Sequence, residues 1–324
     1  MKIIRECSGS LHSKFDMEIV RLAICGLTLG LFCQALIAQI QDGEKPPFYA
    51  GQQTEIKGPY LGQIPPGKEP KIFAPGIVSQ TASKESACTF SPDGKEFYFT
   101  RNNSQIMASR LEAQGWTYPA PVQFSAGYIA NEPHVTYDNR RIYWNWEHPA
   151  PAGEPKLPDY GIYVSERTAA GWSVAKYAGQ GMFVSSSRDG KIYVTHTGPE
   201  CDFVSQAIMK GNLIAGYEDL KGGIEKLRGR SDSIAHPCIA PDGSYIVFDI
   251  DGGPHLFVSF KCKDGTWGEA VDLSQYGLDV KAGIASISPD GRYLFFGWND
   301  DIYWVSTRII SDLPIPVQKE QEQK

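Results

Sequence analysis

The sequence predicts an all-β fold in which one unit of about 50 residues repeats around a ring. A tight-turn motif recurs five times, and an aromatic-rich strand follows each copy. No segment after residue 45 keeps a helical period of apolar residues for three turns. The composition agrees, because 33 Gly and 22 Pro supply many turns and a hydrophobic fraction of 42% is ample for a core.

The N-terminal segment, residues 1–38, is predicted to be a signal peptide. An apolar run at residues 22–38 (LAICGLTLGLFCQALIA) follows Arg21, and polar residues come after it. This order is typical of a cleavable leader, with cleavage after Ala38 or Ala35. We therefore expect a periplasmic or secreted protein.

Two further features of this segment bear on its boundaries. Met17 is a candidate for the true start, because the leader is unusually long. An uncleaved membrane anchor over residues 19–40 is the alternative, which Arg21 and Gln34 disfavour. We expect no membrane span in the mature chain, and a linker at residues 39–57.

The repeated turn marks the units of the ring. Three copies contain Pro-Asp-Gly, and two degenerate copies lie between them, so that five turn aspartates recur every 45 to 53 residues: Asp93, Asp138, Asp189, Asp242 and Asp290. Pro presets φ, Asp bonds back to the backbone, and Gly or Asn takes the left-handed position. The spacing is typical of one four-stranded blade of a β-propeller.

The strands of each blade follow the turn in a fixed order. Near-continuous apolar second strands are predicted at residues 96–100, 141–145, 191–195, 245–249 and 293–297. Such strands suit sheets covered on both faces. Third strands are predicted at 106–110, 162–166, 256–260 and 302–306, with a looser match at 203–209, and Trp116, Trp172 and Trp267 mark the next hairpin in three blades.

The ring is predicted to close through an N-terminal strand. The fifth unit ends near Leu313 without an outer strand, whereas residues 71–79 (KIFAPGIVS) resemble the outer strand at 119–125. Residues 71–79 would therefore supply the fourth strand of the last blade and leave no open edge. We predict a single propeller of five four-stranded blades over residues 58–313, followed by a disordered tail at 314–324. A sixth degenerate blade within 196–233 is the alternative.

These residues carry a resemblance to a known family. The x-Pro-Asp-Gly turn followed by an aromatic-rich strand resembles the WD-like repeat of the PD type found in TolB-like periplasmic proteins, over roughly residues 58–310. The resemblance implies a propeller fold and export. It implies no single activity, because related propellers bind proteins, sense peptides or accompany peptidases and carbohydrate-active enzymes. Two of the five units depart from the motif, since both have lost the Pro.

Candidate site residues are predicted on the face opposite the repeated turns, at the mouth of the central channel. All five histidines after the leader fall there by the order of the strands, and carboxylates and a Trp join them. The catalytic candidates are Glu85, Glu132, His134 and His236, and the ligand-binding candidates are Arg101, Trp146, Glu147, His148, His196 and Asp251. Such groups could bind sugar, hold a metal or supply an acid–base pair, although propeller rims are often polar without any such role.

The predicted function is a ligand- or protein-binding or scaffolding module in the cell envelope, with a protein or glycan ligand at the channel mouth. A carbohydrate-active enzyme, a hydrolase or lyase using Glu85 and Glu132, is the alternative. A net charge of −6 argues against a nucleic-acid partner. No cofactor or metal site is predicted. The cysteines that follow the leader are Cys88, Cys201, Cys238 and Cys262, and their spacing matches no zinc-binding pattern. We expect them to form disulfides or to remain as buried free thiols.

Overall fold

The computed structural model describes residues 54–125, 129–147, 160–197, 202–227, 233–250, 253 and 255–314, with the backbone alone at positions 147 and 160. The predicted signal peptide and nearly all of the predicted tail lie outside these residues, as does Cys201. Among the described residues, no helix is long and apolar enough to cross a membrane.

The described strands form five antiparallel sheets, which are the five blades of a propeller. The first strand in the chain, β1 (Lys71–Ile72), belongs to the last blade. Blade 1 contains, from the channel outwards, β2 (Glu85–Phe90), β3 (Glu96–Arg101), β4 (Gln105–Arg110) and β5 (Ala120–Pro121). Blade 2 contains β6 (Ile129–Val135), β7 (Arg141–Glu147), β8 (Tyr160–Thr168), β9 (Gly171–Trp172) at the end of β8, and β10 (Lys176–Gly179).

The next three blades repeat this order. Blade 3 contains β11 (Met182–Ser186), β12 (Ile192–His196), β13 (Phe203–Lys210) and β14 (Leu213–Asp219). Blade 4 contains β15 (Ile234–Ile239), β16 (Tyr245–Ile250), β17 (Leu256–Phe260) and β18 (Val271–Asp272). Blade 5 contains β19 (Gly283–Ile287), β20 (Tyr293–Trp298), β21 (Asp301–Ser306) and β1.

Short helical turns also occur within the described residues. Three of them have 3-10 geometry, at Tyr60–Gly62, Gly223–Leu227 and Leu273–Tyr276, and a one-turn α-helix follows β21 at Arg308–Ser311. The two strands β13 and β14 occupy much of the segment considered for a sixth blade, and both belong to blade 3. The prediction of five blades is therefore confirmed.

The predicted turn chemistry is present in atomic detail. In blade 1 the Ser91 hydroxyl donates to Asp93 Oδ1 at 2.6 Å, and the Lys95 amide donates to the same oxygen at 3.2 Å. Gly94 takes φ +69°, in the left-handed region, and in blade 2 Asn139 takes φ +55° at the equivalent position. Residues able to adopt this conformation are needed there, which explains the Gly or Asn of the motif.

The closing strand is shorter than predicted. Lys71 and Ile72 pair with β21, and the Phe73 amide donates to the Ile302 carbonyl at 2.8 Å. The chain then turns at Ala74, which has φ +45°, so residues 74–79 do not continue the strand. Most of this segment is nevertheless buried, and the ring closes through it.

The core lies between neighbouring blades, where the faces of the sheets meet. The largest aromatic cluster joins blade 5 to blade 1 and includes Phe73, Phe90, Phe97, Phe295 and Trp304, all of them buried. Thr54 and Ile56 extend blade 1, since their backbones bond to Trp116. These two residues lie within the segment predicted as a linker.

Candidate functional site

The first strands of the five blades surround a narrow central channel. Its cavity volume is about 30 Å³, and residues of β2, β6, β11, β15 and β19 line it. This is room for about two water molecules. The interior of the channel is therefore too narrow to hold a sugar or a peptide, so a ligand of the channel would bind at one of its ends.

The end of the channel beside the repeated turns is crossed by two side chains. Arg188 donates from Nη2 to the Pro289 carbonyl at 2.6 Å, and its guanidinium lies 5.8 Å from the Tyr137 ring centroid. Tyr137 and Arg188 occupy the positions at which blades 2 and 3 lost the motif proline. The departures from the repeat therefore narrow this end, and the opposite end is the candidate site.

A bulge occurs at the same place in every first strand. The pairing register shifts in β2, β6, β11, β15 and β19, and one non-glycine residue in each has a positive φ: Ala87, Glu132, Phe183, His236 and Ile284. Each stands six residues before its turn aspartate. Bulges redirect side chains, and a left-handed residue costs about 1–2 kcal/mol. We call these five residues the mouth ring.

Hydrogen bonds between blades support the bulges. The backbone amide of a mouth-ring residue donates to a side chain at the end of the second strand in the preceding blade. Four such bonds, of 2.8–3.2 Å, join Glu132 to Thr100, Phe183 to Asn145, His236 to Thr195, and Ile284 to Asp249. The fifth equivalent position is Gly297, which offers no side-chain acceptor to Ala87.

Two side chains of the mouth ring meet across the channel. Glu132 Oε1 lies 3.6 Å from His236 Nε2, although the two residues belong to blades 2 and 4. Phe183 of the blade between them packs edge-on against the imidazole, with ring centroids 5.3 Å apart. The contact therefore brings together two residues that were predicted as catalytic candidates.

Both partners of this contact are held from behind. Asn145 Nδ2 donates to Glu132 Oε2 at 2.6 Å, and His236 Nδ1 lies 2.8 Å from Asp249 Oδ1. The side chains of Glu132, His236 and Asp249 are 11%, 15% and 7% exposed. Because a carboxylate accepts only, it fixes the proton on Nδ1 and leaves Nε2 facing Glu132. We call these three residues, together with Asn145, the mouth network.

Asn145 and Asp249 were not among the predicted site residues. Both end an aligned second strand, at the position occupied by Thr100 in blade 1 and Thr195 in blade 3. This repeat position therefore carries two hydroxyls, an amide and a carboxylate at the ends of otherwise apolar strands. An alignment of the five units could have identified it as a candidate site position.

Glu85, the other carboxylate among the catalytic candidates, lies in a separate buried ion pair. Its Oε1 accepts from Arg101 Nε at 2.8 Å, and the Glu85 side chain is 0% exposed. The Gln80 amide and the Ser83 hydroxyl also donate to it. Burial raises the pKa of the Glu85 carboxyl, against these hydrogen bonds and the charge of Arg101, which lower it. Glu85 and Arg101 thereby tie the segment after β1 to blade 1.

His134 lies deeper, along the channel wall. Its Nε2 is 2.8 Å from the Ser186 hydroxyl, and burial lowers the pKa of the imidazole to about 3. His134 is therefore a neutral hydrogen-bonding group in the folded protein. Two thiols, of Cys88 and Cys238, also line the channel and are free, and burial raises the pKa of Cys88 to about 12.

The remaining predicted residues are dispersed. The His196 ring stacks on Tyr217 of the outer strand β14, with centroids 4.0 Å apart. Trp146 packs against Tyr163 inside blade 2, with centroids 4.3 Å apart. Nothing is described of the Glu147 side chain, and His148 and Asp251 lie outside the described residues. In the described part of the chain, no three metal-ligating side chains converge.

Both the sequence and the fold can be compared with those of known proteins. No protein-family model matches the sequence, and no curated protein matches it. Similar solved structures include a candidate TolB protein from Agrobacterium tumefaciens, with 18% identity and a TM-score of 0.45 over 68% of this chain and 73% of that one. A gluconolactonase from Xanthomonas campestris has 11% identity and a TM-score of 0.43 over 77% and 98%. The β-propeller domain of Cps50 from Myceliophteria thermophila has 9% and 0.40 over 68% and 69%.

Proposed function

We propose that this chain is an exported binding or scaffolding module of the cell envelope, and that its protein or glycan ligand docks on the channel-mouth face. The observation that carries the proposal is the mouth network. It places a carboxylate and an imidazole 3.6 Å apart, on backbone bulges, at the open end of a rigid ring. Strained backbone and preorganised polar groups on a rigid scaffold are typical of binding sites.

The envelope location rests on the predicted leader at residues 1–38 and on the resemblance of the repeated turn to TolB-like proteins. A cleaved leader would leave a mature N-terminus near residue 39. N-terminal sequencing of the protein recovered from fractionated cells tests this part of the proposal. Recovery of the intact leader from the cytoplasmic fraction would contradict it.

Ligand binding is tested by a thermal-shift screen of the purified protein against glycans, divalent metals and a chelator. A ligand at 100 times its Kd adds about 2.7 kcal/mol to the free energy of unfolding and raises the Tm. If no compound of the panel raises the Tm, capture of binding partners from envelope fractions is the next experiment. Glu132→Gln keeps an acceptor for Asn145 and removes the charge, so it should weaken binding without unfolding the protein.

The matched control is Lys95→Ala, at an exposed position beside the turn of blade 1. We expect this variant to bind as the wild type does. A ligand or partner bound equally by the wild type, Glu132→Gln and a second mouth variant, His236→Gln, would contradict a site at the channel mouth.

A second candidate function is glycan hydrolysis or elimination. It is favoured by the spatial arrangement in which His236 lies between the carboxylates of Asp249 and Glu132. A carboxylate that orients an imidazole towards a second carboxylate is the arrangement that acid–base catalysis uses. Under this function, Glu132→Gln should abolish turnover of a polysaccharide substrate and leave the Tm nearly unchanged. Unaltered turnover would remove Glu132 from the chemistry.

A further inference from the structure

The contact between the last and the first blade differs from the other four. At the position where Thr100, Asn145, Thr195 and Asp249 bond to the next blade, blade 5 has Gly297. A pocket of about 260 Å³ opens here, and both Gly297 and Gly283 line it. The missing side chain therefore leaves a space, which we call the seam pocket.

The seam pocket belongs to the channel-mouth face. It is formed by the starts of β2 and β19 and by the loops that follow β3 and β20, all of which lie opposite the repeated turns. The side chains that border it include Lys84, Asn103, Lys281, Trp298 and Asn299. Its volume is below the range of about 300–1,000 Å³ for drug-sized ligands, so it suits a single sugar ring.

The lining of the seam pocket holds two lysines, Lys84 and Lys281, and two carboxylates, Glu85 and Asp300. Lys84 pairs with Asp300 at 3.2 Å, but both side chains are more than half exposed, so the pair is weak. Lys281 is exposed and has no ion-pair partner among the described residues. Glu85 is enclosed and already neutralised by Arg101. An anionic ligand would therefore find a free cation here, on a chain whose net charge is −6.

The remaining groups suit a sugar. Trp298 is half-buried and is supported by Tyr303, with ring centroids 4.6 Å apart, so its position is fixed. Asn103 and Asn299 stand in tight turns with φ +50° and +49° and provide amide donors and acceptors. An aromatic surface, two amides and a lysine together complement the apolar face, the hydroxyls and the carboxylate of a sugar acid.

We propose that the seam pocket binds a sugar acid, a single pyranose ring that carries a carboxylate. The Lys281 ammonium would pair with the carboxylate, and the two asparagines would bond to hydroxyls. This inference rests on the proposed function, because it names a ligand and a subsite on the same channel-mouth face.

Isothermal titration of the purified full chain with D-glucuronate and D-galacturonate tests the proposal, with D-glucose and D-galactose as neutral counterparts. We expect the acids to bind at least about tenfold more tightly than the neutral sugars, because a charge-assisted hydrogen bond is lost with the carboxylate. Lys281→Ala should remove most of this preference.

The decisive variant is Gly297→Asn. A Cβ at this position would lie 3.6 Å from the Gly283 carbonyl oxygen, an ordinary contact, so a side chain can start here without straining the backbone. It would fill the pocket and weaken binding of the acids at least about tenfold. Gly216→Asn, on the outer strand of blade 3, is the matched control, because its Cβ would also meet its nearest atom at 3.6 Å.

Two outcomes would overturn the proposal: no binding of either acid to the wild type, or equal binding to the wild type and Gly297→Asn. Neither outcome would decide the proposed function. A ligand whose binding is lost in Glu132→Gln but kept in Gly297→Asn would place the binding surface at the channel axis and reject the seam pocket.

Discussion

His134 shows how the narrow channel changes the chemistry of a single residue. Its imidazole bonds to the Ser186 hydroxyl at 2.8 Å and is held neutral, with its pKa lowered to about 3. In the unfolded chain the same group titrates near 6.5. The unfolded state therefore binds a proton that the folded state excludes, at any pH between these two values.

This difference predicts a loss of stability in mild acid. A histidine whose pKa is depressed by folding has no effect above about pH 6.5, and destabilises the fold as the pH falls from there towards 3. His134→Gln keeps a hydrogen-bonding group and cannot titrate, so we expect a smaller fall in the free energy of unfolding between pH 7 and pH 5. Urea denaturation at the two pH values measures it.

The control for this prediction is His196→Gln, which also removes an imidazole, at the end of β12, where the ring stacks on Tyr217. The slope of His134→Gln is compared with the slopes of this variant and of the wild type. A slope in His134→Gln as steep as that of the wild type would show that other groups cause the acid sensitivity.

The residue that replaces proline in blade 3 also has a physical explanation. The Arg188 amide donates to the Pro241 carbonyl of blade 4 at 2.8 Å, and proline has no such donor. The side chain then reaches the Pro289 carbonyl of blade 5. The irregular turn of blade 3 is therefore hydrogen-bonded to the turns of both blade 4 and blade 5.

At the scale of the elements, the repeated turns have a second pH dependence, in a lower range. The turn aspartates Asp138, Asp189, Asp242 and Asp290 accept hydrogen bonds that lower the pKa of each carboxyl, in Asp189 to about 2. A carboxyl whose pKa is depressed by folding contributes stability above its unfolded pKa of about 4. That contribution is lost as the pH falls from about 4 towards 2.

We therefore expect Asp189→Asn to reduce the loss of stability between pH 4 and pH 2.5 and to leave the change between pH 7 and pH 5 as it is. Thermal unfolding monitored by circular dichroism across this range provides the measurement. Glu218→Gln, at an exposed position of β14, serves as the comparison. If both variants behaved alike, the turn hydrogen bonds would have no part in acid stability.

Most elements could be predicted from the sequence because turn chemistry and apolar runs are local properties. The predicted strand at residues 96–100 agrees with β3 to one residue. The outer strands were predicted too long: of residues 119–125 only Ala120 and Pro121 pair, since prolines at 119 and 121 have no amide to donate.

The candidate site could be predicted only in part. The order of strands assigns Glu132 and His236 to one face. Their contact joins blade 2 to blade 4 and depends on the bulges, which no local sequence pattern predicts. Glu85 shares that face in sequence order, and its burial follows from Arg101 and from the chain before β2. These are tertiary contacts, which propensities do not encode.

At the scale of the whole molecule, stability depends on the contact that closes the ring. Phe73 follows β1 directly, is 0% exposed, and lies within 5.0–6.1 Å, between ring centroids, of Phe90, Phe97, Phe295 and Trp304. It therefore joins the closing strand to both blade 1 and blade 5.

We expect Phe73→Ala to lower the free energy of unfolding by about 3–5 kcal/mol, the usual cost of removing a buried Phe. Guanidinium denaturation measures the change. Ile64→Ala, at a side chain that is 83% exposed, should stay within about 0.5 kcal/mol of the wild type. An equally small effect of Phe73→Ala would mean that the ring does not depend on its closing segment.

The closing strand also sets the order in which the molecule can be assembled. A ribosome makes Lys71 before any blade exists, whereas its partner Trp304 is made only after the other four blades. Blade 5 therefore cannot be completed until those four blades have been synthesised, and β1 and β21 must then pair across a long loop. A chain stalled before β21 would carry two open sheet edges, which are sites of aggregation. The pairing of β1 with β21 is thus the step at which an incomplete ring is most prone to aggregate.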